Sequence, residues 1–192
     1  MDNLNGSSLH PRVVVIGTAA VGKTSLIGRI IENKFESKTA PTTGTAFNEF
    51  HTNDPEKPVI QIWDTAGMER YRSLNRVFYQ EAIGALLCFD LTSFHSFEDI
   101  DSWLKEFITE AQPNPIVILV GTKADLHDKI EVEPEEIQQY AKANHLQYFA
   151  TSALTGEGVD EMMKALIHLI PKVDATVTTN QLVPVEEKKK CC

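Results

Sequence analysis

The run "GTAAVGKT", Gly17 to Thr24, sets two glycines with four residues between them and follows the second with a lysine and a hydroxyl. That spacing suits phosphate chemistry. Backbone N–H groups curl around the anion, Lys23 reaches toward β- and γ-phosphates, and Thr24 offers its hydroxyl to Mg²⁺. A second motif, "WDTAG", closes an apolar run with Asp64, an acid placed to hold Mg²⁺ through water. Gly67 has no side chain to block a backbone N–H aimed at a γ-phosphate. A third, "GTKADL", follows the apolar run "IVILV". There Asp125 is placed to accept the two donors on a guanine edge, a pair that adenine lacks. "TSALTGEG" supplies a second loop at the end of another strand-like run. The first motif alone implies a nucleoside triphosphate; the others narrow it to guanine.

These loops need strands and helices to hold them. "RVVVIG" (12–17) is a short β-branched run ending in glycine, so a buried strand, and "KTSLIGRIIENKF" places apolar residues at helical spacing after it. "AFNEFHT" and "VIQIW" flank a turn and predict an antiparallel hairpin. "IGALLCFDL", "IVILVG" and "LQYFATS" predict further strands. Between and after them, 93–111 reads as one amphipathic helix capped by Ser93. "EPEEIQQYAKAN" and "GVDEMMKALIHLI" read as two more helices. Strands alternating with helices predict an α/β fold with a mostly parallel sheet, whose strand ends are where such sheets bind ligands.

The motifs occur in the order, and at the spacing, of the Ras superfamily of small GTPases. The chain resembles the Rab family most closely, over about residues 11–171. The resemblance rests on "GTAAVGKTS", Thr42 in "TTGTAF", "IWDTAGMERYRSL", "GTKADL" and "TSAL". It implies a P-loop G-domain over 12–171, with a six-stranded sheet, one antiparallel edge hairpin strand and helices on both faces. A flexible leader (1–11) and a disordered tail (172–192) flank it. GTP or GDP would lie against Ala19, Ala20, Val21, Gly22, Lys23, Thr24 and Ser25. Phe35 would stack on the base, Thr42 and Gly67 would grip the γ-phosphate, and Thr122, Lys123, Asp125, Ser152, Ala153 and Leu154 would enclose the guanine. Thr24, Thr42 and Asp64 would serve Mg²⁺, and Lys23, Thr42, Gly67 and Met68 the hydrolysis. Residues about 36–46 and 65–80 would be the nucleotide-sensing switches. Phe47, Trp63 and Tyr79 would form an aromatic surface for effectors, while an exchange factor, a GTPase-activating protein and a GDP-dissociation inhibitor or prenylation escort would complete the cycle.

Several positions depart from the family pattern. Met68 stands where a glutamine usually orients the attacking water, and a thioether is at best a weak acceptor. A slow intrinsic rate is therefore expected, although an activating protein can supply both an Arg and a Gln in trans. Ala19 and Ala20 put methyl groups where Gly or Ser is common. Thr122 replaces an Asn, losing an amide that ties the loops together. Leu154 replaces a Lys, and Gln80 and Glu81 replace an Arg-Gly pair.

Of 192 residues, 42% are hydrophobic and 23% charged, with a net charge of −9, a balance that disfavours general nucleic-acid binding. No apolar stretch reaches the ~18 residues of a membrane span. The chain instead ends in "EEKKKCC". By the resemblance, Cys191 and Cys192 would carry two geranylgeranyl groups, and two chains are what stable anchoring needs. From Lys172 onward four lysines meet three acids, a net of +1 against −10 for the rest, so the tail is the segment an anionic leaflet repels least. The reading is a monomeric Rab-like GTP/GDP switch on the cytosolic face of endomembranes, acting in vesicle traffic. Two alternatives stand beside it: a hydrolysis-deficient nucleotide-gated scaffold, and an ATP-using phosphotransferase.

Overall fold

The structure, a computed structural model, describes residues 10–37, 42, 46–56, 59–66 and 72–171, with 72–75 by backbone alone. The leader, the tail with Cys191 and Cys192, Gly67, Met68 and much of both expected switches lie outside the described residues.

Strand β1 (Arg12–Ile16) runs between β3 (Val59–Asp64) and β4 (Gly84–Asp90), parallel to both. β5 (Ile116–Thr122) and β6 (Gln147–Ala150) extend the parallel sheet on the β4 side, and β2 (Ala46–His51) closes the other edge antiparallel to β3. The order is β2-β3-β1-β4-β5-β6. The hairpin is as expected, with Phe47 opposite Trp63.

Alternation along the central strands sorts side chains onto two faces. Val13, Val15, Leu86, Cys88, Ile118 and Val120 join a core covered by α1 (Lys23–Glu32) and α6 (Val159–Leu169). Val14, Ile16, Leu87, Phe89 and Leu119 join the other. That face packs against α2 (Arg72–Tyr79), α3 (Phe94–Glu98), α4 (Ile100–Glu110) and α5 (Pro134–Ala143). Trp103 and Phe107 are its largest contributions from α4, both fully buried.

One predicted element divides. The stretch 93–111 is not a single helix: α3 stops at Glu98 and α4 starts at Ile100, with Asp99 capping both. The Ser93 cap is present, its hydroxyl accepting from the Ser96 N–H at 3.4 Å. Ser96 Oγ meanwhile donates to the carbonyls of Ser93 and Asp90, binding this first turn to the end of β4. The division sets the Asp99 carboxylate against Thr18 of the glycine loop, whose hydroxyl donates to it at 3.0 Å.

Candidate nucleotide-binding site

Connections leaving the C-terminal ends of β1, β3, β5 and β6 converge on a cavity of about 530 Å³. At the end of β1 the chain turns sharply. Gly17 has φ 138, and a Cβ there would lie 2.1 Å from the Cys88 carbonyl oxygen, so only glycine fits. Gly22, at φ 102, is the N-cap of α1 and offers no side-chain cap, leaving the first N–H groups of that helix directed at the cavity. Ala19, Ala20, Gly22, Lys23, Thr24 and Ser25 all line it. Val21 does not; its side chain enters the core beneath α1, and its contribution is its backbone.

Lys23 is 6% exposed, and its ammonium donates to the carbonyls of Gly17 (2.7 Å) and Thr18 (2.8 Å). Burial lowers its pKa, opposed by the charges of Cys88 and Asp64. A cation so poorly hydrated is one that a phosphate stabilises strongly.

Opposite it, three oxygens gather. Thr24 Oγ1 donates to Asp64 Oδ2 at 2.7 Å, Thr42 Oγ1 donates to the same oxygen at 3.2 Å, and the two hydroxyls lie 3.0 Å apart. Asp64 Oδ1 is buried with no hydrogen-bond partner among the described residues. Burial raises the Asp64 pKa, which the Thr24 hydroxyl, Lys23 and the Thr42 hydroxyl partly offset. Hard oxygen donors around an under-satisfied carboxylate suit Mg²⁺, which takes few protein ligands and retains waters. The residues present therefore fit that ion.

At the far end of the cavity, Ser152 Oγ donates to Asp125 Oδ1 at 2.6 Å and itself accepts from the Thr155 N–H at 3.1 Å. This fixes the Asp125 carboxylate at the cavity lining. Ser152 is wholly buried and absent from the lining, so it positions Asp125 from behind. Phe35, Lys123, Ala153 and Leu154 line the same end, joined by Leu126, which the sequence did not single out.

Two further residues were missed in the sequence. Asp90, at the end of β4, pairs with Lys123 Nζ at 2.6 Å. Lys123 Nζ also donates to the Ala20 carbonyl at 3.1 Å, so base loop and phosphate loop meet through one ammonium. Both residues it joins hold left-handed backbone, Ala20 at φ 63 and Lys123 at φ 60, a strained conformation of the kind that clusters at binding sites. An acid ending a buried strand was the available signal for Asp90, the same one that identified Asp64. The second missed residue is Arg29, in the last turn of α1, which donates to the Ala153 and Leu154 carbonyls. Nothing local in the sequence points to a partner so distant.

Thr122, without the amide of an Asn, makes ties of its own. Its hydroxyl lies within hydrogen-bonding reach of the Val21 carbonyl and, at 2.9 Å, of the Phe89 carbonyl, linking β5, the phosphate loop and β4. The aromatic surface needs a correction. Phe47 stacks on Trp63 with ring centres 5.0 Å apart, but Tyr79 is fully buried, edge-on to Phe107 at 5.5 Å. Adjacent residues point about 100° apart around a helix, and it is Phe78 that reaches Trp63, at 5.3 Å.

A parallel sheet with a glycine–lysine–threonine loop after its first strand, and a buried acid closing a neighbouring strand, defines a class: a P-loop nucleotide-binding domain. A model of the Ras family matches residues 12–172. The chain is 42% identical to human Ras-related protein Rab-4B, over 85% of this chain and 78% of that one. It is 37% identical to Ras-related protein RABA1c of Arabidopsis thaliana, over 84% of this chain and 77% of that one. With Ras-related protein Rab-11C of Dictyostelium discoideum it shares 36% identity, over 93% of this chain and 83% of that one. The chain belongs to the Ras family, and these relatives make it a Rab-like small GTPase, a GTP/GDP switch of vesicle-mediated traffic. Among the described residues no helix is long and apolar enough to cross a membrane.

Proposed function

We propose that this GTPase binds guanine nucleotide with Mg²⁺ between Asp125 and the oxygens of Thr24, Thr42 and Asp64, and that it hydrolyses GTP slowly. The observation that carries the reading is the placement of two opposed recognition ends on one cavity. A carboxylate oriented by Ser152 would meet the base, and a desolvated lysine with the Thr24 and Thr42 hydroxyls on Asp64 would meet the phosphates. Thr24 and Thr42 would ligate Mg²⁺ directly, and Asp64 would hold it through water; the ion would supply positive charge to offset that of the phosphates.

In the reaction, a water oxygen bonds to the γ-phosphorus, the bond from that phosphorus to the β–γ bridging oxygen breaks to release GDP, and the proton the water loses ends on the released phosphate or in solvent. Lys23 meets the charge that develops on the bridge and the γ-oxygens. Among the described residues its ammonium donates to the Gly17 and Thr18 carbonyls, which hold it in place for those oxygens. Gly67 would add an N–H at the γ-phosphate. Met68 would leave the water without a donor–acceptor side chain, which is the reason for the slow rate. Family membership favours turnover over the non-catalytic scaffold.

Phe47, Trp63 and Phe78 would form the nucleotide-sensitive effector surface, and two geranylgeranyl groups on Cys191 and Cys192 would hold the protein on the cytosolic face of endomembranes. An unmodified C-terminus, found by mass spectrometry of protein from its native cell, would exclude that anchor.

Calorimetric titration with GDP and ADP, for the native chain and Asp125→Ala, tests the site. The native chain is expected to prefer GDP strongly. Loss of the oriented carboxylate should cost GDP about 10²-fold or more, as losing a charged partner for two donors does. Equal binding of GDP and ADP by the native chain would overturn the reading.

A further inference from the structure

Arg29 stands in the last turn of α1, the helix whose first turn forms the phosphate end of the site. Its guanidinium leaves the helix and crosses to the loop after β6. Nε donates to the Ala153 carbonyl at 2.7 Å and Nη2 to the Leu154 carbonyl at 2.8 Å. Nη1 is held in place by the Asn33 carbonyl at 2.8 Å and the Asn33 side-chain oxygen at 2.9 Å. Asn33, at φ 53, is the left-handed C-cap of the same helix, so the cap that ends α1 also braces the arginine. Two successive peptide carbonyls are gripped by one planar fork, a geometry lysine does not reproduce.

That loop lines the cavity with Ala153, whose N–H, in the guanine-binding reading, would meet the base. Ser152, immediately before it, is fixed to Asp125, and Arg29 fixes the two carbonyls immediately after it. The N–H is therefore held from both sides. Leu154 lines the cavity but has no charged group with which to tether the loop across the base, which leaves Arg29 as a tie from behind. One rigid helix thus meets the phosphates with its N-terminus and the base loop with its last turn.

We propose that Arg29 is a positioning residue for guanine recognition: it holds the Ala153 N–H on the base carbonyl O6, and so sets how slowly the nucleotide leaves. The inference rests on the guanine-binding reading above. Its consequence is specific. Releasing the fork loosens the contact to O6 and leaves the phosphate contacts and the Asp125 contact to the base amines in place.

The test is the dissociation rate of GDP and of 6-thio-GDP from the full chain with Mg²⁺, followed by chase with excess GTP. 6-Thio-GDP keeps the donors that Asp125 reads but replaces the O6 acceptor with a poorly accepting sulfur. The native protein should release 6-thio-GDP faster than GDP. In Arg29→Ala, GDP release should accelerate about tenfold, the equivalent of one charge-assisted bond, while 6-thio-GDP release changes little, so the gap closes. Arg29→Lys should not restore the native rate, because a single ammonium does not span both carbonyls. If Arg29→Ala fails to fold, Arg29→Lys gives the same reading with the charge retained. Unchanged GDP release, equal acceleration for both nucleotides, or full rescue by lysine overturns the inference. A native chain with no preference for GDP over ADP overturns the guanine reading itself, a separate result.

Discussion

Asp64 shows how a binding site is built at the cost of stability. Its carboxylate is 6% exposed, one oxygen accepts from two hydroxyls, and the other has no partner among the described residues. Burial raises its pKa. Between the unperturbed value of 3.8 and that raised value, the folded chain binds more protons at this site than the unfolded chain does. The contribution of Asp64 to the stability of the metal-free protein therefore falls as pH rises through that window. A metal ion removes the penalty without a proton. Asp64→Asn, which keeps the shape and discards the charge, is expected to raise the metal-free thermal midpoint. Relieving an unpaired buried group worth about 1–3 kcal/mol corresponds to several degrees for a domain of this size. The same variant should lose the stabilisation that Mg²⁺ with GDP gives the native chain. Thermal scans in chelator and in Mg²⁺–GDP check both halves, and a lower metal-free midpoint for the variant would refute the first. Met68 offers a second residue-scale expectation. Met68→Gln should speed single-turnover GTP hydrolysis about tenfold, the value of one neutral hydrogen bond realised in the transition state. No acceleration would dismiss Met68 as the cause of slow turnover.

At the scale of elements, the site depends on how strand ends are joined. Thr122 closes β5, and its hydroxyl reaches carbonyls on the phosphate loop and on β4. Thr122→Val keeps the volume and removes the only donor those contacts share. A buried carbonyl left unpaired costs about 1–3 kcal/mol. The thermal midpoint should fall by several degrees and nucleotide release should quicken; an unchanged release rate would show that the phosphate loop holds its shape without this tie. What could be read in advance follows the same division. The strands were legible because alternation and short β-branched runs are local signals, and the ligand loops because glycine, lysine and acid spacing is local too. The break at Asp99 was not legible, since a helix and a pair of helices sharing one apolar face carry the same periodicity, and the partner of Asp99, Thr18, is distant in sequence. Phe78 and Tyr79 are neighbours in one aromatic pair, and which faces Trp63 depends on the helix phase against Phe107. Arg29 reads locally as a cation suited to a helix C-terminus. Its use as a fork depends on a loop more than a hundred positions away.

At the scale of the whole molecule, the nucleotide becomes a structural member. Both cores are complete without it, one on each face of the sheet. Around the cavity, polar ties join the loops over the strand ends, among them Lys123 to Ala20 and Asp90, Thr18 to Asp99, Thr122 to Val21, and Arg29 to Ala153. Lys23, which lines the cavity, and Asp64, which holds the Thr24 and Thr42 hydroxyls that line it, have their charged forms disfavoured by burial. A ligand with a polyphosphate and a guanine edge relieves that burden at one end and fills the base site at the other. It therefore binds the folded state alone, and linkage converts its affinity into stability. With Mg²⁺–GDP at about a thousand times its dissociation constant, the gain is about 4 kcal/mol, a rise in midpoint of roughly 8–16 °C for a domain of this size. Mg²⁺–ADP at the same concentration offers the phosphates without the paired base donors, and Asp125 would be left without that partner. Its shift should be a small fraction of the GDP shift. Differential scanning calorimetry with each nucleotide separates the outcomes. Comparable shifts would mean that stabilisation comes from the phosphate end alone, and that the ordered pair of Ser152 and Asp125 serves the fold rather than the choice of base.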